Sequence, residues 1–171
     1  MGEAGSGRQA RAFVVAHYDA DGRIARHLVE LLRAFTALSD RVLLVSTGAT
    51  PAVLAALPQG VRAITRPNVG YDFTSYRTGI EAIGRDPGLR QIVLLNDSFV
   101  CIDPARLCRR MLEAPAVEAD LVGMTSSGEG SYHVQSHFFC FQGSKVLESE
   151  AFVAWWSSMQ PLSDREEVIR R

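Results

Sequence analysis

The side chains best suited to chemistry fall in three short polar clusters, each next to an apolar run. The first follows Gln91-Ile92-Val93-Leu94-Leu95, where a segment with no polar face ends in Asn96-Asp97-Ser98. All three residues favour local bonds from side chain to backbone, so the cluster can be a plain turn. An aspartate at the mouth of a buried strand also suits a hard divalent cation. Mg²⁺ and Mn²⁺ prefer oxygen ligands and are often shared between a carboxylate and substrate phosphates. From these residues alone, turn and cation site both stay open.

The second cluster is Asn68-Val69-Gly70-Tyr71-Asp72. Gly70 permits a backbone conformation closed to most side chains, and Asp72 is placed to cap a following helix. Free N–H groups at such a helix start could receive a diphosphate, with Arg66 and Arg77 near in sequence to neutralise it. The alternative is a turn and a cap with nothing bound.

The third is Tyr132-His133-Val134-Gln135-Ser136-His137-Phe138. On a strand, His133, Gln135 and His137 project from one face. The spacing of the two histidines would also share a helical face, as in many zinc pairs, but no Glu lies between them and the aromatics favour a strand. A polar row lining a sugar or nucleotide pocket and a row of satisfied edge-strand side chains are the remaining readings.

Strand and helix signals alternate around these clusters. Strands are expected at Ala12–Ala16, Val42–Val45, Val61–Thr65, Gln91–Leu95 and Leu121–Met124, with a further aromatic-rich strand over Tyr132–Phe141. Asp21 is the expected cap of a helix carrying Ile24, His27, Leu28, Leu31, Leu32 and Phe35. Further helices are expected after Pro51, over Phe73–Ile83, from Pro104 and from Glu150, with Ser126–Ser131 a flexible loop. Short, continuous apolar strands separated by helices predict an α/β fold with a mainly parallel central sheet and helices on both faces. Val14, Val15, Leu43, Leu44, Val93, Leu94, Leu121 and Val122 are the expected centre of its core. In such sheets ligands collect beyond the carboxyl ends of the strands, where the clusters fall.

The 171 residues suit one domain, read as 12–171 behind a flexible tail at 1–11. A net charge of −1 argues against broad nucleic-acid binding. No apolar run approaches the ~20 residues that span a bilayer, and nothing before the first strand reads as a secretory signal. Three scattered cysteines make neither a disulfide framework nor a zinc motif, which fits a reducing, cytoplasmic compartment.

The order of the segments resembles the rhamnan synthesis protein F family of polysaccharide-assembly proteins. The resemblance rests on Phe13-Val14-Val15-Ala16-His17-Tyr18, Asn68-Val69-Gly70-Tyr71-Asp72-Phe73 and Val93-Leu94-Leu95-Asn96-Asp97-Ser98. It continues through Asp120-Leu121-Val122-Gly123-Met124-Thr125, His133-Val134-Gln135-Ser136-His137-Phe138 and the Ala151-Phe152 to Trp156 helix. The family pattern usually runs past Arg171, so the chain reads as a truncated or shortened member.

The resemblance implies a GT-A-like, nucleotide-diphospho-sugar transferase architecture. It also implies transfer of a deoxyhexose such as rhamnose from a nucleotide-sugar to a growing cell-surface glycan. Asn68, Gly70, Asp72, Asn96, Asp97 and Ser98 would then bind the donor, with Asp97 holding Mg²⁺ or Mn²⁺ against its diphosphate. Asn96-Asp97-Ser98 stands where many GT-A enzymes carry two aspartates. His133, Gln135 and Ser136 would line the sugar or acceptor side, with His133, Asp120 or Glu129 as base. The implied partners are the donor and a free or lipid-linked glycan acceptor, at the inner face of a membrane that the chain does not span. The alternative is a module of the same fold that binds nucleotide-sugar or glycan without turnover.

Overall fold

A computed structural model describes residues 10–161, and the first nine residues of the expected tail lie outside them. The central sheet contains β1 (Arg11–His17), β2 (Val42–Ser46), β3 (Val61–Thr65), β4 (Gln91–Asn96), β5 (Leu121–Gly123) and β8 (Phe138–Gln142). Its order is β3-β2-β1-β4-β8-β5. β3, β2, β1 and β4 run parallel, and β8 lies antiparallel between β4 and β5. Arg11 is thus part of the first strand and not of the tail.

Alternation along the strands divides the core between two faces. Phe13, Val15, Val93 and Leu95 meet α1 (Arg26–Thr36) and α4 (Pro104–Glu113), whose Leu28, Leu31, Leu32, Phe35 and Met111 are buried there. The Phe13 and Phe35 rings stack at 4.3 Å between centroids. Ala12, Val14, Ala16, Ile92 and Leu94 meet Tyr76 of α3 (Tyr71–Ile83) and Trp156 of α6 (Glu150–Ser158). Each large side chain buried this way contributes roughly 1.5–3 kcal/mol. A Cβ on Gly79 would lie 2.2 Å from Val14 Cγ1, so the close seat of α3 on β1 requires glycine there.

Two short helices, α2 (Pro51–Ala55) and α5 (Ser144–Leu147), complete the connections. Among the described residues, no helix is long and apolar enough to cross a membrane.

Several sequence expectations are corrected. Asp21 does not cap α1, which starts at Arg26 behind Ala25; Asp19 Oδ1 instead accepts the N–H groups of Asp21 and Arg23 and closes a turn. The Ser/Gly loop contains half of a hairpin, β6 (Ser126–Ser127) with β7 (His133–Val134). Tyr132–Phe141 is therefore not one strand. The chain leaves β6 after Val134, turns at Ser136-His137, and enters the central sheet beside β4. Two successive partners break the alternation that would have put His133, Gln135 and His137 on one face. Leu121 and Val122 are only half-buried, because β5 is an edge strand.

Candidate functional site

The carboxyl ends of β1 and β4 sit side by side, with Ala16 opposite Asn96 in register. One residue further on, Asp97 Oδ2 accepts the N–H of Tyr18 at 3.0 Å and lies 3.9 Å from His17 Nε2. Its side chain is a quarter exposed, and its Oδ1 has no hydrogen bond among the described residues.

His17 is buried and fully engaged. Its Nε2 lies 2.9 Å from the Arg23 carbonyl, which can only accept, so Nε2 carries the proton. Nδ1 then takes the Ser46 hydroxyl at 2.9 Å, and Ser46 Oγ in turn accepts the Ala49 N–H. The ring ties the loops after β1 and β2 together beneath Tyr18.

Asn96 is also buried, and its amide is committed at both ends. Oδ1 accepts the N–H and the hydroxyl of Ser98, at 3.1 and 2.5 Å. Nδ2 donates to Asp72 Oδ2 at 2.5 Å. This bond carries the first turn of α3 to the end of β4 and puts a second carboxylate in the neighbourhood of Asp97. Burial raises the Asp72 carboxyl above its ordinary value; the Asn96 bond lowers it, the charge of Asp97 raises it and Arg66 lowers it. The two carboxylates thus sense each other across the Asn96 amide.

Gly70 is the N-cap of α3 at φ 80°, ψ 21°, and Tyr71 follows at φ 51°. Asp72 therefore lies inside the first turn and is not the cap. A Cβ on Gly70 would fall 2.1 Å from Thr74 Oγ1 and 2.7 Å from Pro161 Cβ, so close packing as well as φ demands glycine. Arg66 holds the segment from beneath, donating to the carbonyls of Pro67, Val69 and Tyr71 and to Ser75 Oγ. Arg77 is engaged by Glu81 and the Met159 carbonyl. Both guanidinium groups brace the fold. Asn68 is exposed, with no hydrogen-bond partner for its amide among the described residues.

Part of the third cluster reaches the same edge. The Asn96 N–H donates to the His137 carbonyl at 3.2 Å, and the Tyr76 hydroxyl donates to the Ser136 carbonyl at 2.9 Å. Burial, with the charges of Asp72 and Asp97, pushes the Tyr76 phenol well above its ordinary value, so it remains a donor. Thr125 Oγ1 donates to Gln135 Oε1 at 2.5 Å and lies 3.3 Å from His137 Nε2. His133 is exposed on the hairpin, with Nδ1 2.8 Å from the Ser131 carbonyl. Asp120 precedes β5, which runs parallel to β4, and it shares a surface recess with Arg11 and Arg90 at the opposite edge of the sheet. Glu129 belongs to the hairpin turn.

Among the described residues no three His, Cys, Asp or Glu side chains converge as a metal cluster. Asp97, with one oxygen uncommitted, and Asp72, bonded to Asn96, are the two carboxylates at this edge that could hold a cation. His17 and Tyr76 are the contributors to which sequence patterns assigned no role, and a polar residue ending an apolar strand is the signal that could have marked His17; Arg66, expected beside a phosphate, instead spends its donors on nearby carbonyls.

A family model described as rhamnan synthesis protein F matches residues 52–171. The uncharacterized protein y4gN of Sinorhizobium fredii (strain NBRC 101917 / NGR234) is 32% identical over 112 residues, covering 63% of this chain and 29% of that protein. Virulence protein VirA of Vibrio anguillarum (strain ATCC 68554 / 775) is 35% identical over 86 residues, covering 48% of this chain and 26% of VirA. The chain thus spans less than a third of the curated relatives it matches. A candidate glucose-1-phosphate thymidylyltransferase of Bacillus anthracis, solved with sucrose, superposes with a TM-score of 0.53 at 12% identity. That alignment covers 90% of this chain and 85% of the other, and it shows a common fold.

Proposed function

The chain belongs to the rhamnan synthesis protein F family, and on that premise we propose that it is the donor-binding unit of a glycosyltransferase of polysaccharide assembly. The observation that carries the reading is the meeting of Asp97, Asn96 and Asp72 at the carboxyl ends of parallel strands, where this fold class binds its ligands. The donor is a nucleotide-diphospho-sugar, with a deoxyhexose such as rhamnose as its sugar.

In the transfer, the bond from the anomeric carbon to the diphosphate breaks and its electron pair leaves with the nucleoside diphosphate. A bond from an acceptor hydroxyl to that carbon forms, and the hydroxyl proton passes to a base. A divalent ion held by Asp97 and Asp72 would supply positive charge to the diphosphate. Asn96 fixes the Asp72 carboxylate, while His17 and Tyr18 fix the loop that orients Asp97. His133, Gln135 and Ser136 would line the acceptor side, with His133, or His137 beside Thr125 and Gln135, as the imidazole that takes the proton.

A thermal-shift screen of nucleotide-diphospho-sugars with and without Mn²⁺ tests the reading, because a ligand that binds the folded state raises Tm with concentration. A Mn²⁺-dependent rise with at least one donor is expected. No rise with any donor, with or without Mn²⁺, would overturn it. A rise that ignores Mn²⁺ would favour a binding module without turnover.

A further inference from the structure

The last two helices, α5 and α6, both pack on the α3 face of the sheet. On the α4 face, the space between α4 and the edge strand β5 is left open as a groove of about 650 Å³. Phe99, Met111, Val122 and Phe138 form its apolar walls and floor. Val100, Ile102, Val117 and Met124 border it and are exposed, Ile102 to 93%. Apolar surface gathered at one place in this way marks a binding surface. Phe, Met and Arg line the groove, and these residue types are enriched where proteins meet.

The rim carries both signs, Asp103 and Glu113 against Arg106 and Arg110. Arg110 and Glu113 lie 3.3 Å apart and pair with each other. Asp103 Oδ1 accepts the backbone N–H of Arg106 as the cap of α4. The other oxygen of Asp103 and the guanidinium of Arg106 have no partner among the described residues. A rim balanced in this way selects neither an anion nor a cation. It suits a surface that carries the same two signs, and a twofold axis supplies one, because each copy then offers its own patch to the other.

Ile102 makes the face self-complementary in shape as well as in charge. Its side chain projects as an apolar knob beside an apolar groove, so each of two copies can seat its knob in the groove of the other. With Ile102 seated there, the neighbouring Asp103 reaches the rim that Arg106 borders.

We propose that the chain pairs with a second copy of itself through this face, Ile102 of each copy entering the groove of the other and Arg106 of each meeting Asp103 of the other. The pairing does not depend on the transfer reaction.

Sedimentation equilibrium of the full chain under reducing conditions, at concentrations up to about 100 µM, tests it. The wild type is expected to dimerise. Ile102→Asp should weaken the dimer about tenfold or more, with an unchanged far-UV circular dichroism spectrum because the side chain is exposed. Arg106→Asp should also weaken it, by setting like charges against each other across the axis. Adding Asp103→Ser, which keeps an oxygen for the cap of α4, should recover part of that loss. A wild type that stays monomeric at the highest concentration would overturn the proposal. So would a dimer that Ile102→Asp and Arg106→Asp leave intact. A monomer that binds a hydrophobic dye as wild type but not as Ile102→Asp would likewise overturn it and give the face to a different apolar partner.

Discussion

The amide nitrogen of Asn96 donates to a carboxylate oxygen of Asp72 across 2.5 Å, joining the end of β4 to the start of α3. The end of β4 must donate a hydrogen bond here, and the carboxylate that receives it comes from α3.

Asn96→Asp should therefore bring two carboxylates into contact and leave Asp72 without its donor. A loss of about 1–3 kcal/mol at pH 7 is expected in denaturant melts, shrinking toward pH 4 as one carboxyl takes up a proton. The double variant Asn96→Asp/Asp72→Asn swaps donor and acceptor and should recover most of the loss. Additive destabilisation in the double variant would show that the pair is not coupled.

Asp72 itself sets a pH dependence. Burial, with the charge of Asp97, lifts its carboxyl above the ordinary value despite Asn96 and Arg66. The folded state thus holds the proton more tightly than the unfolded chain. That contribution to stability is complete below about pH 4 and is lost as pH rises through the folded value. Asp72→Asn keeps an oxygen for Asn96 and removes the charge, so it should raise Tm at pH 7 in EDTA, with the gain vanishing near pH 4. A lower Tm at pH 7 would contradict this.

How much of this was legible beforehand differs from residue to residue. Val14, Leu44 and Leu94 announce buried parallel strands because no polar face interrupts them, and all three are buried. Asn96-Asp97-Ser98 was visible as a polar end to such a strand. The Asn96–Asp72 bond was not, because its partners are 24 residues apart and only the crossover through α3 brings them together. Arg66 looked like a phosphate ligand because its type and position suit one. Only three-dimensional placement reveals that nearby carbonyls occupy its donors. The break at Gln135–His137 escaped because a change of strand partner leaves no mark on local alternation.

Gly70→Ala would force a side chain into the left-handed region at φ 80° and against Thr74 and Pro161. A destabilisation of about 1–2 kcal/mol is expected, read as a lower denaturant midpoint. Glycine at this position therefore serves the fold before it serves any ligand. An unchanged midpoint would show that the segment relaxes.

The cysteines should differ in reactivity. Burial pushes Cys108 and Cys140 up to about 11 and raises Cys101 less, while Cys101 is also less enclosed. Iodoacetamide at pH 8 should label Cys101 first and reach the other two only on unfolding, as peptide mass mapping would report. Early labelling of Cys140 would contradict the core packing.

Asp97 is proposed to hold a cation for a donor diphosphate. Asp97→Asn keeps an oxygen for the Tyr18 N–H and removes only the charge, so Tm without ligand should hardly move. The direct measurement is a calorimetric titration of wild type and Asp97→Asn with a panel of nucleotide-diphospho-sugars, including nucleoside-diphosphate-rhamnose, with and without Mn²⁺. Mn²⁺-dependent binding is expected for the wild type and should disappear in the variant. Equal Mn²⁺-dependent affinity in both proteins, or a large fall in Tm with binding unchanged, would make Asp97 a turn residue and contradict a cation-holding role.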